Sequence, residues 1–236
     1  MVHQLRLLRK AQRKMLTDHH CHILPKIDDG SDSVETSLKM IRTMREQGVE
    51  RIVATPHFYA HRERGVNAYL EKRQQAYDKL VKEDPTNGDI LLGAEVAVEH
   101  GISKLPDIEK LRIADTKYIL LEFEYAAFSK WMLEEVNDIA YEYGLVPVLA
   151  HIHRYLEYYS RSEMEEVLKT EAVFQFNNEA FESFKEKRFV KSLIKEGYPY
   201  VFGSDAHSMG SRKPNWDVLK KKAKPEFISG VEDIFG

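Results

Sequence analysis

Histidines and acidic residues occur along this chain in patterns that suit metal binding. Because strand side chains alternate, Asp18, His20 and His22 would share one face of a strand, and two imidazoles on one face can bind the same ion. Glu95 and Glu122 each follow an apolar run, where a carboxylate without a partner would carry a large desolvation cost. Nitrogen and carboxylate ligands suit zinc, manganese or iron, and several carboxylates suggest more than one ion.

The ends of the other apolar runs carry similar side chains. They are His57, His151, Asn177, Asp205 and His207. Taken alone, each has an ordinary structural explanation, and Asp28 and Asp29 before Gly30 could form only an Asx-type turn. Their recurrence at successive strand ends favours one shared metal site over many unrelated structural roles.

Seven apolar or β-branched runs predict strands that alternate with helical patterns. The predicted strands are 16–22, 50–55, 90–94, 118–123, 145–150, 172–177 and 200–203. Asp32 and Glu35 resemble a capping box that opens a helix ending near Gly48, and Gly144 and Gly197 are placed to end two later helices. This alternation is typical of a parallel sheet covered on its faces, and seven units favour a (β/α)-barrel with its chemistry at the carboxyl ends of the strands.

Length, composition and charge exclude several classes of protein. The chain has 236 residues, 43% of them hydrophobic, which fits one globular domain and excludes a disordered or fibrous chain. Its 35 basic and 38 acidic side chains provide no global field for nucleic acid or an anionic membrane. No apolar run approaches the roughly 20 residues of a membrane span, so we expect no stable membrane insertion. The chain has a single cysteine and therefore cannot form an intramolecular disulfide, which predicts a cytoplasmic protein.

Residues 1–14 differ in character from the rest of the chain. They carry five basic side chains and lack the apolar core of a secretory signal. We interpret them as a basic N-terminal extension, either non-native or disordered, or alternatively as a short amphipathic helix for a membrane surface or an acidic partner. Residues 15–236 are interpreted as the functional domain.

The order of the motifs resembles the PHP (polymerase and histidinol phosphatase) superfamily. In sequence order they are His-x-His, Asp-Asp-Gly, Thr-Pro-His, Gly-x-Glu, Glu-Phe, Ala-His-x-x-Arg and Ser-Asp-x-His. More narrowly, DHHCHILPKIDDGSDS and GSDAHSMGSRKP resemble the bacterial manganese-dependent tyrosine-protein phosphatases of the CpsB/YwqE type, which regulate capsular and exopolysaccharide synthesis. The resemblance runs from Asp18 to the end of the chain.

This resemblance implies a distorted (β/α)7 barrel that binds three divalent metal ions, manganese first, with iron, zinc or magnesium as alternatives. The implied ligands are His20, His22, Glu95 and Asp205 for one ion, Glu95, Glu122 and His151 for the second, and Asp29, His57 and His207 for the third. Glu95 would therefore bridge two ions. His153 stands where relatives often have glutamate and His19 where many have an aliphatic residue, so only the surroundings of the ligands depart from the pattern.

The resemblance also implies catalytic roles for four residues. Arg154 and Arg212 match the two arginines that bind phosphate, and Asp205 or His207 could donate a proton to the leaving oxygen. The reaction would be phosphomonoester hydrolysis by a metal-bound hydroxide. Cys21 does not open a Cys-x5-Arg loop, because Ile27 occupies the position of the arginine, so a cysteine nucleophile is not expected.

The substrate that the resemblance implies is the phosphotyrosine-bearing tail of a bacterial tyrosine kinase or its adaptor. Two alternatives stay open. A histidinol-phosphate phosphatase would use a similar PHP site on an alkyl phosphate, and a noncatalytic PHP module would serve only for binding. The complete set of implied ligands favours an enzyme over the binding module.

Overall fold

The computed structural model describes residues 15–235, so the interpretation of residues 1–14 lies outside it. The strands are β1 (Thr17–Cys21), β2 (Arg51–Ala54), β3 (His57–Phe58), β4 (Leu91–Leu92), β5 (Glu95–Ala97), β6 (Tyr118–Glu122), β7 (Val146–Leu149), β8 (Val173–Asn177) and β9 (Tyr200–Gly203). The α-helices are α1 (Val34–Glu46), α2 (Val66–Glu83), α3 (Lys130–Tyr143), α4 (Arg161–Val167), α5 (Phe184–Glu196), α6 (Trp216–Lys222) and α7 (Pro225–Ser229). None of the helices in this part of the chain combines the length and apolar character needed to cross a bilayer.

The nine short strands occupy seven positions, because two pairs are consecutive parts of one extended segment. Two residues separate β2 from β3, and two separate β4 from β5. Across these gaps the ladder continues, with Gly93 N donating to Ala54 O at 2.8 Å and Glu95 N donating to Pro56 O at 3.1 Å. All strand pairs are parallel, in the orders β1-β2-β4 and β3-β5-β6-β7-β8-β9.

Backbone hydrogen bonds close the ring between β1 and the segment that follows β9. Asp205 N donates to His20 O and His22 N donates to Ala206 O, both at 2.8 Å, and Cys21 forms a parallel bridge with Ala206. The (β/α)7 barrel expected from the sequence is therefore confirmed. It is distorted, since 3-10 turns at Ile102–Lys104 and Ile108–Leu111 replace an α-helix between β5 and β6.

Two apolar clusters follow from the alternation of strand side chains. Along β6, Tyr118 and Leu120 belong to the smaller cluster inside the barrel, whereas Ile119 and Leu121 join the larger cluster between the strands and the helices. Glu122 continues the inner series by one step at the carboxyl end of the strand. The alternation that builds the core thus also directs this carboxylate into the mouth of the barrel.

Helix α1 begins one residue later than the predicted capping box. Ser33 is the N-cap, and its hydroxyl accepts a hydrogen bond from Thr36 N at 3.1 Å. The carboxylate of Asp32 instead accepts from the hydroxyls of Ser33 and Thr36 at 3.0 and 2.6 Å. The predicted cap at Asp32 with Glu35 was therefore wrong, because a hydroxyl at the next position competes for the same donors.

Candidate metal centre

The structure brings all nine predicted metal ligands together at the carboxyl end of the barrel. They are His20, His22, Asp29, His57, Glu95, Glu122, His151, Asp205 and His207. All of them lie in a strand or within four residues after one, except Asp29, which lies in the β1–α1 loop. Apart from the Asp29 side chain, which is 67% exposed, these groups are buried or nearly so. Their convergence follows from the parallel arrangement, because the ends of all seven strand positions meet at one face.

The first group has the spacing of ligands around a single ion. Glu95 Oε2 lies 3.0 Å from His20 Nε2 and 3.1 Å from His22 Nε2, and the two histidine nitrogens are 3.1 Å apart. Asp205 Oδ1 lies 3.6 and 3.5 Å from the same nitrogens. Ligand atoms about 2.1 Å from one metal ion lie roughly 3 to 3.5 Å from one another in tetrahedral or octahedral geometry.

The second group uses the other oxygen of Glu95. His151 Nε2 lies 2.9 Å from Glu95 Oε1 and 3.3 Å from Glu122 Oε1. Glu95 Oε1 therefore faces His151, while Oε2 faces His20 and His22, an arrangement that suits a bridging carboxylate.

The third group contains Asp29, His57 and His207, as the resemblance implied. Asp29 Oδ1 lies 3.4 Å from His57 Nε2 and 3.6 Å from His207 Nε2, and His22 lies close enough to share this group. His57 also reaches the carboxylates of the second group, since its Nδ1 is 3.2 Å from Glu95 Oε2 and 3.7 Å from Glu122 Oε2.

Two ring nitrogens in this cluster support cation binding independently of the spacing. His57 Nδ1 and His207 Nε2 are buried and, within residues 15–235, form no hydrogen bond of good geometry, although carboxylate oxygens lie 3.2 and 3.6 Å away. An unpaired buried polar atom carries a desolvation cost, and a cation at the centre would remove it for both. The side chains present thus fit a site for divalent cations.

Neighbouring groups favour the ionised forms of Glu95 and Asp205. Burial alone would raise the pKa of Glu95, but His20 and His57 hold it well below the usual range. The pKa of Asp205 is likewise lowered, because His20 and Arg154 outweigh the effect of burial. For His151, hydrogen bonds with Glu122 and Glu95 outweigh burial and raise the pKa to about 9. Divalent cations could replace the protons that these carboxylates and histidines share.

Gln175 is a supporting residue that the sequence analysis missed. Its side-chain oxygen accepts a hydrogen bond from His151 N at 2.6 Å and lies 3.1 Å from His20 Nδ1. Its amide nitrogen donates to Asn177 Oδ1 at 2.8 Å, and Asn177 in turn donates to Asp205 Oδ2 at 3.0 Å. The available signal was an uncharged polar residue inside the apolar run Val-Phe-Gln-Phe of β8.

Asp28 combines the predicted turn with a role in the site. Its Oδ1 accepts from Gly30 N at 3.0 Å, as in an Asx-type turn, while Oδ2 lies 2.7 Å from His22 Nδ1 and accepts from His57 N at 2.9 Å. A carboxylate on the far nitrogen of a histidine fixes the orientation of the ring and its tautomer. The predicted Asx-type turn is therefore confirmed, but the same side chain also contacts His22 and His57.

Arg154 and Arg212 lie together at the exposed edge of the cluster, on either side of Asp205. Arg154 donates to Glu179 Oε1 at 2.7 Å and lies 2.8 Å from Asp205 Oδ2, and Arg212 donates to both oxygens of Asp205. Their side chains are 30% and 41% exposed, so each keeps donors available to a ligand.

Asp18 and Cys21 do not join the cluster. The pairing of β1 is irregular between these two residues, which breaks the simple alternation. Asp18 accepts hydrogen bonds from Trp216 Nε1 and from the backbone of Ser204 and His20, so placing it beside the two histidines was wrong. The Cys21 thiol donates to Val53 O at 3.3 Å, and burial raises its pKa. This thiol is therefore poorly suited to serve as a nucleophile.

The two other histidines that the sequence singled out are also buried. His19 Nδ1 lies 3.0 Å from Phe202 O, and its ring stacks on Phe235. His153 is 1% exposed, and neither of its ring nitrogens has a hydrogen-bond partner among the described residues. Neither side chain belongs to the three groups of candidate ligands.

Sequence comparisons place the chain among bacterial phosphatases. It is 30% identical over 207 residues to tyrosine-protein phosphatase YwqE of Bacillus subtilis, covering 84% of this chain and 79% of that protein. It is 28% identical over 246 residues to tyrosine-protein phosphatase CpsB of Streptococcus pneumoniae, covering 93% and 98%.

The structural and family comparisons agree with this assignment. The fold matches a crystal structure from work on YwqE of B. subtilis and CpsB of S. pneumoniae, described as metal-dependent tyrosine phosphatases, with a TM-score of 0.72 and 27% identity. The match covers 90% of this chain and 89% of the other. The family model for capsular polysaccharide synthesis, CpsB/CapC, matches residues 16–229. With its fold, its cluster of candidate ligands and these relatives in agreement, the chain belongs to the CpsB/CapC family.

Proposed function

We propose that this protein is a metal-dependent protein-tyrosine phosphatase. The observation that carries this proposal is the position of Glu95, whose two carboxylate oxygens lie 2.9 to 3.1 Å from histidines on two sides. Arg154 and Arg212 lie at the edge of the same cluster. Its relatives YwqE and CpsB carry the name tyrosine-protein phosphatase.

The centre would hold three divalent cations, manganese first, with iron, zinc or magnesium as alternatives. The ligands would be His20, His22, Glu95 and Asp205; Glu95, Glu122 and His151; and Asp29, His57 and His207. Divalent cations in these positions would supply Lewis acidity and activate a water molecule for attack on phosphorus at neutral pH.

The two arginines would bind and orient the phosphoryl group. Each guanidinium is already held by Asp205, and each side chain stays partly exposed, so donors remain for a ligand. These donors can pair with nonbridging phosphate oxygens and stabilise charge that develops in the transition state. Binding and turnover should therefore both depend on Arg154 and Arg212.

The candidate proton donors favour an aryl ester as substrate. The pKa of Asp205 is lowered by His20 and Arg154 against the effect of burial, and burial lowers the pKa of His207 to about 3. Neither group therefore holds a readily donated proton at neutral pH. The phenol of tyrosine has a pKa near 10, so its phenolate leaves with less assistance than an alkoxide. Tyrosine phosphate therefore suits the site better than an alkyl phosphate.

The physiological substrate in this proposal is a phosphotyrosine-bearing tail of a bacterial tyrosine kinase that controls capsular or exopolysaccharide synthesis. The name of the matching family, capsular polysaccharide synthesis, supports this role. We further propose that residues 15–236 act as one phosphatase domain in the cytoplasm, with residues 1–14 as an extension.

A substrate panel with and without a chelator tests the proposal. Metal-loaded protein should hydrolyse a phosphotyrosine peptide, turn over histidinol phosphate much more slowly, and lose both activities in the chelator. Faster turnover of histidinol phosphate would favour the alkyl phosphatase, and no turnover of either would favour a binding module. Activity that persists after complete removal of metal would contradict the metal-dependent mechanism.

A further inference from the structure

A pocket of about 460 Å³ lies at the rim of the barrel, above the adjacent ends of β3, β5 and β6. We call it the rim pocket and define it by Tyr59, Val98, Glu122, Phe123, Tyr125 and Trp131. Glu122 belongs both to this pocket and to the second group of candidate metal ligands. The rim pocket thus begins directly at the proposed reacting centre.

Two tyrosines line the pocket, and each packs on a candidate metal-binding histidine. The ring of Tyr59 lies 5.2 Å from that of His57 at an interplanar angle of 31°, and the ring of Tyr125 lies 5.6 Å from that of His151 at 25°. Both aromatic rings therefore stand beside the cluster. Tyr125 is 40% exposed, so an aromatic surface beside the centre stays available to a ligand.

Neighbouring groups hold these two rings in place. The guanidinium of Arg62 lies 4.4 Å from the centre of the Tyr59 ring. Arg154 donates to the Tyr125 hydroxyl at 3.3 Å, and the Tyr125 ring stacks on Tyr155 at 5.7 Å. Walls that are already ordered lose little conformational entropy when a ligand binds.

The lining of the rim pocket combines apolar and charged side chains. Val98 and Phe123 line it, and Trp131 stacks on His100 with ring centres 3.7 Å apart. Glu99, which pairs with His61, and Glu124 also line the pocket, together with Arg62. The aromatic and apolar lining residues suit an aryl ring, and Arg154 and Arg212 beside Asp205 remain for the phosphate group.

We propose that the rim pocket binds the aromatic ring of the phosphotyrosine substrate between Tyr59 and Tyr125. In an aryl phosphate the ring is attached directly to the ester oxygen, so a pocket for it must start at the reacting centre, as this one does at Glu122. Stacking between aromatic side chains and the ligand ring would favour aryl over alkyl phosphates. This inference rests on the proposed function and names the residues that select its substrate.

Nonhydrolysable phosphonates separate ring binding from catalysis. We expect metal-loaded protein to bind phenylphosphonate about tenfold more tightly than methylphosphonate, as measured by calorimetry. Tyr59→Ala and Tyr125→Ala should each lower this ratio severalfold, while Tyr59→Phe should keep it because the ring remains. Tyr59→Leu provides a variant of similar bulk without aromatic character if the alanine variant does not fold.

Tyr141→Ala is the matched control, because this tyrosine of α3 is 91% exposed and lies outside the rim pocket. It should leave the ratio unchanged, and elemental analysis should give the same metal content for all variants. An unchanged ratio in the Tyr59 and Tyr125 variants, with hydrolysis of phosphotyrosine intact, would overturn the rim pocket proposal alone. A ratio that depends on both tyrosines in a protein that hydrolyses no aryl phosphate would support the rim pocket and contradict the proposed function.

Discussion

One guanidinium nitrogen of Arg212 donates to both carboxylate oxygens of Asp205, at 2.9 and 3.0 Å. On its other side, the same carboxylate faces His20 and His22. Asp205 therefore connects the proposed metal ligands with a proposed phosphate-binding arginine. The position of Arg212 depends on a residue of the metal centre, which ties the binding of phosphate to the integrity of that centre.

Replacing Arg212 should impair both binding and turnover of an aryl phosphate. We expect Arg212→Ala to raise KM and to lower kcat by about 10²- to 10³-fold, the usual effect of losing a donor that stabilises transition-state charge. Steady-state kinetics with elemental analysis checks this. Arg161→Ala is the control, because Arg161 is 95% exposed and pairs only with Glu165 in the described structure. A change in KM alone would contradict the role in the transition state.

Glu95→Gln should remove metal as well as activity. The amide retains the size of the side chain but lacks the charge that faces His20, His22 and His151. We expect the variant to bind fewer ions per chain and to lose more than about 100-fold in activity, beyond the effect of residues that only orient a ligand.

Elemental analysis and kinetics of the same preparation measure both effects. Glu182→Gln, which changes an exposed carboxylate that pairs with Lys222, should affect neither. Full metal content and full activity in Glu95→Gln would exclude a bridging role for Glu95.

The stability of the metal-free protein should fall as pH rises above 6.5. Although burial acts to lower the pKa of His151, Glu122 and Glu95 raise it from 6.5 to about 9. A raised pKa in the folded state stabilises the protein fully below the unfolded value, and this contribution is lost as pH passes through the folded value. We therefore expect Tm in a chelator to decrease between pH 6.5 and 9.

Thermal unfolding at several pH values checks this expectation. Metal-loaded protein should show a smaller decrease, because a bound cation takes the place of the proton on the histidine. His151→Gln should flatten the dependence in the chelator. A Tm that rises across this interval would contradict the sign of the His151 contribution.

Cys21→Ser should keep its activity within about twofold, with a stability loss of about 1 kcal/mol. The thiol is fully buried and donates to Val53 O, a contact that a hydroxyl can replace. Kinetics and thermal unfolding of the variant test this. Complete inactivation with metal content intact would point to a cysteine nucleophile and refute the metal-dependent scheme.

The positions of the candidate ligands could be predicted because they depend on simple regularities. Glu122 and His151 occur where apolar runs end, His20 belongs to the His-x-His pair of β1, and parallel strands bring their ends to one face. The interruptions between β2 and β3 and between β4 and β5 were not predicted from the sequence. They fall at Thr55-Pro56 and at Gly93-Ala94, where proline lacks an N–H for the ladder and glycine weakens a strand.

The supporting residues could not be predicted, because their roles arise from contacts between distant parts of the chain. Gln175 reaches His20 across 155 positions, and Asp18 accepts from Trp216 across 198. Spacing along a strand does not reveal such partners. The irregularity of β1 after Asp18 was equally hidden, since it depends on pairing with β2.

The hydrogen bonds that close the barrel join the first strand to the segment that follows the last strand. His20 and His22 lie on one side of this closure, with Asp205 and Ala206 on the other. A ribosome must therefore finish β9 and the segment after it before the first group of ligands can assemble. A nascent chain that stops before residue 205 would carry the two histidines without their aspartate, so synthesis through Asp205 precedes formation of that group.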